Sequence, residues 1–297
     1  MDAKLTSLLS EKRDTPMSAK ELAALAAAFR LTMFDVLHGR QTGHWGGSSS
    51  AAELTTALYF NRMNIDPANP RKEDRDRFIL SKGHASVNLY TVLANRGFFP
   101  TEDLPGFRTL GSHLQGHPCM FKTPGVDMST GALGHGLSIG IGMSLAAQMS
   151  GHKSWTYVMS GEGCLDEGQT WEAVMLAAKY KPARLVYMID YNKVQLDGTS
   201  TEIMPLDPLA DKFKAFGWNV APKAYNGNNT QDILDSFDWM DSDDVWPKLV
   251  IYDTIKGKGV SFMEGKSAWH GAPIDEKSYA SGRPELETDL KNKEAAL

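Results

Sequence analysis

The chain has 297 residues, of which 42% are hydrophobic, so it is long enough to bury a sizeable core in one large domain or two small ones. Its net charge of -5 at pH 7, without a basic stripe in the sequence, argues against a nucleic-acid partner. The two cysteines, Cys119 and Cys164, form no CxxC pair, which argues against a disulfide framework and favours a reducing, cytoplasmic location.

From the N-terminus onward, the order of apolar and polar residues predicts strands that alternate with helices. The polar residues 1–17 lack the apolar run of a secretory signal, and no stretch reaches the roughly 20 apolar residues of a membrane span, so no membrane partner is expected. Capping boxes at Ser18–Glu21 and Ser50–Glu53 predict two helix starts. The predicted helices are 18–37, 50–60, one after His84 to about 96, one that follows 131–136 and ends near 150, 169–179, 208–216 and one from about 230. The predicted strands are 77–80, 155–159, 185–189, 218–220 and 248–253. The main predicted loops are 43–50, 98–130, 191–205 and 257–271.

The predicted strands are continuous apolar runs, which are typical of a parallel sheet buried on both faces. We therefore predict an α/β fold with a doubly wound, mostly parallel sheet and helices on both faces. No internal repeat or linker divides the sequence, so a single domain over 1–297 is expected, with 1–17 and 283–297 as peripheral extensions. Ligands of such sheets bind at the carboxyl ends of the strands.

Polar residues follow two of these strands and suggest a metal-and-phosphate site. Glu162 lies between two glycines after the strand at 155–159, and Asn192 follows the strand at 185–189. A carboxylate, an amide oxygen and one backbone carbonyl, for which Val194 is the candidate, could hold Mg²⁺ on a phosphate. The alternative is that the glycines form a plain turn and Asn192 is a turn-forming residue. No GxGxxG motif supports a dinucleotide site.

Four of the eight histidines, His44, His84, His117 and His270, lie in glycine-rich or tight-turn segments. A single loop histidine is usually only a polar loop residue, but four suggest a site, because histidine titrates near neutrality and can move protons. Their spacing is not that of a metal cluster, so sugar hydroxyls or a developing alkoxide are the more natural partners. Lys256 stands among glycines after the last strong strand, where it suits either phosphate neutralisation or a solvated surface.

Together these segments resemble the N-terminal half of transketolase, a thiamine diphosphate enzyme. The resemblance runs in order from about residue 18 to residue 275. The segments that carry it are Gly43-His44, Leu80-Ser81-Lys82-Gly83-His84-Ala85, Gly116-His117-Pro118, Gly131-Ala132-Leu133-Gly134-His135-Gly136, Gly161-Glu162-Gly163, Glu167-Gly168, Asp190-Tyr191-Asn192, Lys256-Gly257-Lys258-Gly259 and Trp269-His270-Gly271.

The resemblance implies a role for each matching residue. Metal binding would fall to Glu162, Asn192 and the Val194 carbonyl, and cofactor binding to His84, Gly131, Ala132, Leu133, Gly163, Asn192, Lys256 and His270. Donor-sugar contacts would fall to His44, Lys82, His117 and His270, with His44, His117 and His270 aiding proton transfers and Glu167 in a proton relay between paired active sites. The family's usual metal ligand is Asp where this chain has Glu162, so Mg²⁺, Ca²⁺ or Mn²⁺ is expected with an altered ligand geometry.

The resemblance also implies a partner, because the family's pyrimidine-binding half has no counterpart after residue 275. We expect the N-terminal subunit of a split transketolase, in an α2β2 assembly with a C-terminal pyrimidine-domain subunit. Such an enzyme moves a two-carbon ketol unit from a phosphorylated or otherwise anionic ketose to an aldose. One alternative is the α subunit of a 2-oxo acid dehydrogenase, and the other is a non-catalytic cofactor-binding partner subunit.

Overall fold

The computed structural model describes residues 3–10, 15–243 and 245–297. Its α-helices are α1 (Ala3–Ser10), α2 (Ala19–Arg40), α3 (Trp45–Ser50), α4 (Ala52–Ala57), α5 (Ser86–Asn95), α6 (His135–Met149), α7 (Gly168–Tyr180), α8 (Ser200–Ile203), α9 (Leu209–Ala215), α10 (Thr230–Met240) and α11 (Glu276–Ala295). Its strands are β1 (Arg77–Leu80), β2 (Thr156–Gly161), β3 (Leu185–Tyr191), β4 (Asn219–Val220), β5 (Tyr225–Asn226) and β6 (Lys248–Asp253). Strands and helices thus alternate through most of the chain, as the sequence predicts.

The six strands form one sheet in the order β1-β2-β3-β6-β4, and β5 pairs with the carboxyl end of β6. Every pairing is parallel. Leu80 lies opposite Met159, and Gly161 lies opposite Asp190. Because parallel strands end at the same edge of a sheet, the segments that follow β1, β2, β3 and β6 are neighbours in space.

Alternate residues of each central strand enter two separate hydrophobic cores. In β3, Val186 and Met188 pack into the core that contains residues of α2, α4, α5, α10 and α11. Leu185, Tyr187 and Ile189 pack into the core that contains residues of α6, α7 and α9. Both faces of the sheet are therefore covered, because successive strand side chains point to opposite faces. The predicted doubly wound α/β fold is confirmed.

Residues 43–50, predicted as a loop, contain a helix, so that prediction was wrong. All six residues of α3 are buried, and the Ser49 hydroxyl donates to the Lys258 carbonyl. The predicted capping box at Ser50–Glu53 is also absent: α4 begins after Ala51 without a side-chain cap. Ser50 instead donates its hydroxyl to the Asp190 carboxylate at 2.6 Å. The capping box of α2, formed by Ser18 and Glu21, is present as predicted.

The two predicted peripheral extensions contribute to the core. Leu5 of α1 and Leu286 of α11 are buried in the same core as α2. The C-terminal helix starts at Glu276, ahead of the predicted charged tail.

Helix α2 is long and apolar enough to cross a membrane by length and composition alone. However, 67% of its most apolar segment is buried inside the protein, and a buried core helix can have the same length and hydropathy.

Candidate active site

The segments after β1, β2, β3 and β6 enclose a cavity of about 280 Å³. It is lined by Gly47, Lys82, His84, His117, Gly131, Leu133, Gly161, Glu162, Gly163, Cys164, Asn192, Val194, Gln195, Leu196, Lys256 and His270. Most of the residues predicted for a cofactor and metal site therefore lie together. A larger cavity of about 880 Å³, which includes Thr32 and Leu104, is lined by none of them.

Glu162 begins the short turn after β2 and is 2% exposed. Its Oε1 accepts a hydrogen bond from the backbone N–H of Lys193. Burial, and then the nearby Asp190 carboxylate, raise the pKa of Glu162 to about 8. A bound cation would remove this penalty, because an opposite charge favours the ionised carboxylate. Glu162 is therefore chemically suited to a cation, although it carries one more methylene than the Asp usual in the family.

The two other predicted metal ligands lie on the segment after β3. Asn192 Oδ1 accepts from the Val194 N–H at 3.2 Å, and the Val194 carbonyl accepts from Lys256 Nζ at 3.0 Å. Lys256 Nζ also donates to the Gln195 carbonyl at 3.0 Å. Within the described ranges no group of three His, Cys, Asp or Glu side chains could hold a metal. The metal assignment to Glu162, Asn192 and the Val194 carbonyl stays a prediction.

Asp190, the fully buried penultimate residue of β3, joins the segments around this cavity. Its Oδ2 accepts from Lys82 Nζ and from Ser50, and its Oδ1 accepts from Thr254. Lys82 Nζ also donates to the Gly47 carbonyl at 2.5 Å. The ammonium of Lys82 is thus bound to protein acceptors, and its predicted substrate contact stays a prediction.

The four predicted histidines form one cluster. The ring centroid of His44 lies 5.2 Å from that of His84, 6.3 Å from that of His117 and 5.4 Å from that of His270. Those of His84 and His270 are 4.9 Å apart. His84, His117 and His270 line the cavity, and His44 lies next to all three.

Burial and neighbouring cations keep these histidines neutral. The pKa of His44 is lowered to about 4 by burial and then by Arg108, and that of His270 to about 3 by burial and then by Lys256. Burial is also the main cause that lowers the pKa of His84 and of His117. At neutral pH these rings offer neutral donors and acceptors rather than positive charges.

Besides His44, two predicted residues lie outside the cavity lining. Glu167 occupies the N-cap position of α7 without a side-chain hydrogen bond to the helix and is exposed, and Ala132 is exposed beside the lining residues Gly131 and Leu133. Their predicted roles in the proton relay and in cofactor binding stay predictions.

Several site residues carried no signal that singled them out. Asp190 and Thr254 belonged to noted segments without a stated role, whereas Arg108 and Gln195 lay in no recognised pattern. Only the length of the 98–130 loop, which contains Arg108, indicated a functional segment.

The cavity lining has the features that a diphosphate cofactor requires. A Cβ added to Gly161 or Gly163 would meet no protein atom closer than 3.4 Å, so a side chain there would occupy the cavity. Gln195 Nε2 is buried without a hydrogen-bond partner, and the cation Lys256 lines the same space. An unpaired buried donor and a cation suit phosphate oxygens.

With this geometry established, comparison with known proteins defines the class. Residues 22–293 match the family model described as "Transketolase, thiamine diphosphate binding domain". The chain belongs to the transketolase family and is an N-terminal, thiamine diphosphate-binding subunit.

Among its relatives, the chain is 44% identical to the 6-deoxy-6-sulfo-D-fructose transketolase subunit SqwG of Clostridium sp. (strain MSTE9) over 247 residues, which are 83% of this chain and 89% of that protein. It is 40% identical to one subunit of the apulose-4-phosphate transketolase of Phocaeicola vulgatus over 262 residues, 88% of this chain and 92% of that protein. The predicted N-terminal transketolase subunit is confirmed, and the dehydrogenase alternative is not favoured.

Solved transketolases share the fold. The enzyme of Campylobacter jejuni superposes with a TM-score of 0.83 at 26% identity, covering 93% of this chain and 46% of that chain. The enzyme of Leishmania mexicana superposes with a TM-score of 0.81 at 28% identity, covering 95% of this chain and 46% of that chain. The chain thus spans about half the length of these solved enzymes.

Proposed function

We propose that this protein works with a separate pyrimidine-domain subunit, in an α2β2 assembly in the cytoplasm, to transfer a two-carbon ketol unit from an anionic ketose to an aldose. The observation that carries the proposal is the neutral histidine cluster beside Glu162 and Asn192 at one edge of the sheet. The histidines suit sugar oxygens, and the acidic and amide side chains suit a metal-bound diphosphate. A cofactor-binding subunit without turnover would have no need of the histidines.

The cofactor would lie along the cavity lining. Glu162, Asn192 and the Val194 carbonyl would hold Mg²⁺, or Ca²⁺ or Mn²⁺, Gln195 would contact the diphosphate, and Lys256 would add positive charge beside it. When bound, thiamine diphosphate supplies the nucleophilic carbon that takes up the ketol unit. The volume of about 280 Å³ is close to the lower limit for small-molecule sites, which supports a second subunit that holds the rest of the cofactor.

The chain's own residues would orient the sugar and handle its protons. His84 and His270 stand at the cavity wall, and His117 stands at its exposed side. Neutral imidazoles can donate to hydroxyl and carbonyl oxygens and can accept a hydroxyl proton as the substrate carbon–carbon bond breaks. Donors aimed at a developing oxyanion are often the largest electrostatic contribution in such sites.

The class of substrate is suggested by the relatives' names. One is named for a sulfonated fructose and another for a phosphorylated apulose, and both sugars carry an anionic group. An anionic ketose is therefore the proposed donor for this chain. The alternative of a 2-oxo acid substrate predicts decarboxylation instead of ketol transfer.

Reconstitution with the partner subunit tests the proposal. The chain is mixed with the pyrimidine-domain protein encoded beside it, thiamine diphosphate and Mg²⁺ or Ca²⁺, and ketol transfer from anionic ketoses is assayed. We expect transfer by the mixture and none by either protein in isolation. Robust transfer by this protein in isolation, or 2-oxo acid decarboxylation by the mixture, would contradict the proposal.

Replacing Glu162 tests the metal assignment. Glu162→Gln removes the carboxylate at nearly constant volume and should weaken metal-dependent binding of thiamine diphosphate at least about tenfold, since losing even an indirect metal contact costs about 10- to 100-fold. Binding to the mixed subunits is measured by calorimetry with Mg²⁺ and with Ca²⁺. Glu73→Gln, in an exposed loop, is the matched control. Equal metal-dependent affinities for Glu162→Gln and the control would refute the assignment.

A further inference from the structure

Arg108 reaches the histidine cluster from the loop between α5 and α6. Its backbone is in the left-handed region, with φ 57°, and its N–H donates to the Leu114 carbonyl at 2.9 Å. Its guanidinium lies over the ring of the buried Phe107, 5.4 Å from the ring centre. The local fold therefore directs this side chain, because its backbone and its guanidinium are both held.

The guanidinium donates to three acceptors in two segments. Nη1 donates to the Thr42 hydroxyl at 2.9 Å, and Nη2 lies 3.2 Å from His44 Nδ1 and 3.4 Å from the Gly116 carbonyl. A Cβ on Gly116 would lie 3.0 Å from Arg108 Nε, so the glycine makes room for the arginine. Arg108 thus connects the loop before α3 with the loop that carries His117.

In its hydrogen bond with His44, Arg108 can only be the donor. Arginine has five donors and no acceptor, so His44 Nδ1 must accept. A neutral imidazole that accepts at Nδ1 carries its proton on Nε2. Arg108 therefore determines which nitrogen of His44 is protonated.

The protonated nitrogen is left available to a ligand. His44 Nε2 has no hydrogen-bond partner among residues 3–10, 15–243 and 245–297. A Cβ on Gly271 would lie 3.4 Å from this nitrogen and 3.2 Å from the adjacent Cδ2, so the glycine keeps its surroundings open.

The same arrangement recurs at a second histidine. Lys256 Nζ lies 2.8 Å from His270 Nδ1, and a protonated lysine can only donate, so His270 would also carry its proton on Nε2.

We propose that Arg108 is a positioning residue of the ketol-transfer site, which holds His44 as the neutral Nε2–H tautomer so that His44 donates a hydrogen bond to a sugar oxygen. The sugar contact rests on the proposed function, whereas the tautomer is a property of this protein by itself. His44 would then act as a donor that stabilises negative charge on oxygen rather than as a base that removes a proton.

Nuclear magnetic resonance tests the tautomer directly on the full chain. With ¹⁵N-labelled histidine, long-range ¹H–¹⁵N correlations distinguish a protonated Nε2 from a protonated Nδ1, and His44→Gln assigns the signals. We expect His44 as Nε2–H in the wild type, a mixture of tautomers in Arg108→Met, and recovery in Arg108→Lys. Arg283→Met on α11 is the control and should leave the His44 signals unchanged. A protonated Nδ1 in the wild type, or an unchanged tautomer in Arg108→Met, would overturn the inference.

Kinetics of the mixed subunits test the consequence. Arg108→Met should lower kcat/KM for the ketose by about 10- to 100-fold, the usual effect of a misdirected hydrogen bond, and leave the affinity for thiamine diphosphate unchanged. Arg108→Lys should recover part of the loss in kcat/KM. Unchanged kinetics in Arg108→Met would overturn the inference. Arg108→Leu, which also removes every donor, replaces Arg108→Met if the latter does not fold. An inactive wild-type mixture with the expected tautomer would refute the proposed function and leave the tautomer assignment intact.

Discussion

Among single residues, Asp190 connects the segments around the site. Its carboxylate is fully buried, and it accepts from Lys82 after β1, from Ser50 in α3 and from Thr254 after β6. Two buried charges of opposite sign, each with further hydrogen bonds, are stable together, but either one by itself is left uncompensated. The ends of β1 and β3 therefore depend on this ion pair, and the end of β6 on the Thr254 hydrogen bond, for their relative positions.

Breaking the pair should be strongly destabilising. Lys82→Met leaves the Asp190 carboxylate buried and unpaired, and we expect the free energy of unfolding to fall by about 3–5 kcal/mol. Urea denaturation followed by circular dichroism measures the loss. Lys214→Met, which breaks an exposed ion pair with Asp211, should cost less than about 1 kcal/mol. Similar losses in the two variants would show that the Asp190 carboxylate is not held by charge pairing.

Among the elements, α6 packs so closely against the sheet that the effect of a larger residue depends on its position in the helix. A Cβ on Gly140 would lie 2.4 Å from Val158 Cγ2 in β2, whereas one on Gly142 would meet no atom within 4 Å. Both glycines lie inside the helix, where glycine is less favourable than alanine by about 1 kcal/mol. The same substitution should thus have opposite signs two residues apart.

The matched pair of variants tests the packing of α6. Gly140→Ala should destabilise the chain by about 1–3 kcal/mol, as overpacked cores do, and Gly142→Ala should stabilise it by up to about 1 kcal/mol. Thermal and urea unfolding of the isolated chain compare the two. If Gly140→Ala is as stable as Gly142→Ala, α6 does not lie as close to β2 as described.

At the scale of the whole molecule, the net charge of -5 conceals a concentration of cations and histidines at one edge of the sheet. Lys82, Lys256 and Arg108 all lie next to histidines there, so protonation of the rings is unfavourable in the folded state. In the unfolded chain the same histidines titrate near pH 6.5. Acid should therefore act on stability through this cluster.

The sign of the effect follows from the lowered pKa values. In the unfolded chain, His44 and His270 bind protons below about pH 6.5, whereas in the folded chain they bind them only near pH 4 and pH 3. Their contribution to stability is therefore present above pH 6.5 and is lost as the pH falls through pH 4 for His44 and pH 3 for His270. Glu162 acts oppositely: its pKa is raised to about 8, so its contribution is present below about pH 4.5 and lost as the pH rises through 8.

Removing one histidine should reduce the loss of stability in acid. We expect His44→Gln to gain stability relative to the wild type as the pH falls from about 6.5 to about 4, while the two differ by a constant amount above about pH 7. Urea unfolding at half-unit pH steps measures the difference. His152→Gln, near the amino end of β2 and away from the histidine cluster, is the control for loss of a histidine. A difference between His44→Gln and the wild type that does not vary with pH would contradict this prediction.

Strands β1 and β6 were predicted residue for residue, and the capping box of α2 was predicted correctly. A buried parallel strand is a short apolar run between polar residues, and a cap is a contact over three residues, so both signals are local. The order of the matching segments likewise sufficed for the family, the fold class and the cofactor. These properties of the protein were determined by the sequence by itself.

Only the tertiary structure decided the rest. Helix α3 consists of Trp45, two glycines and three serines, a composition that disfavours a helix, and it forms because all six residues are buried. Arg108 acts on His44 from 64 residues away, and Asp190 meets partners 140 and 108 residues distant. No local pattern records such contacts, because they depend on which segments the sheet and its two cores bring together.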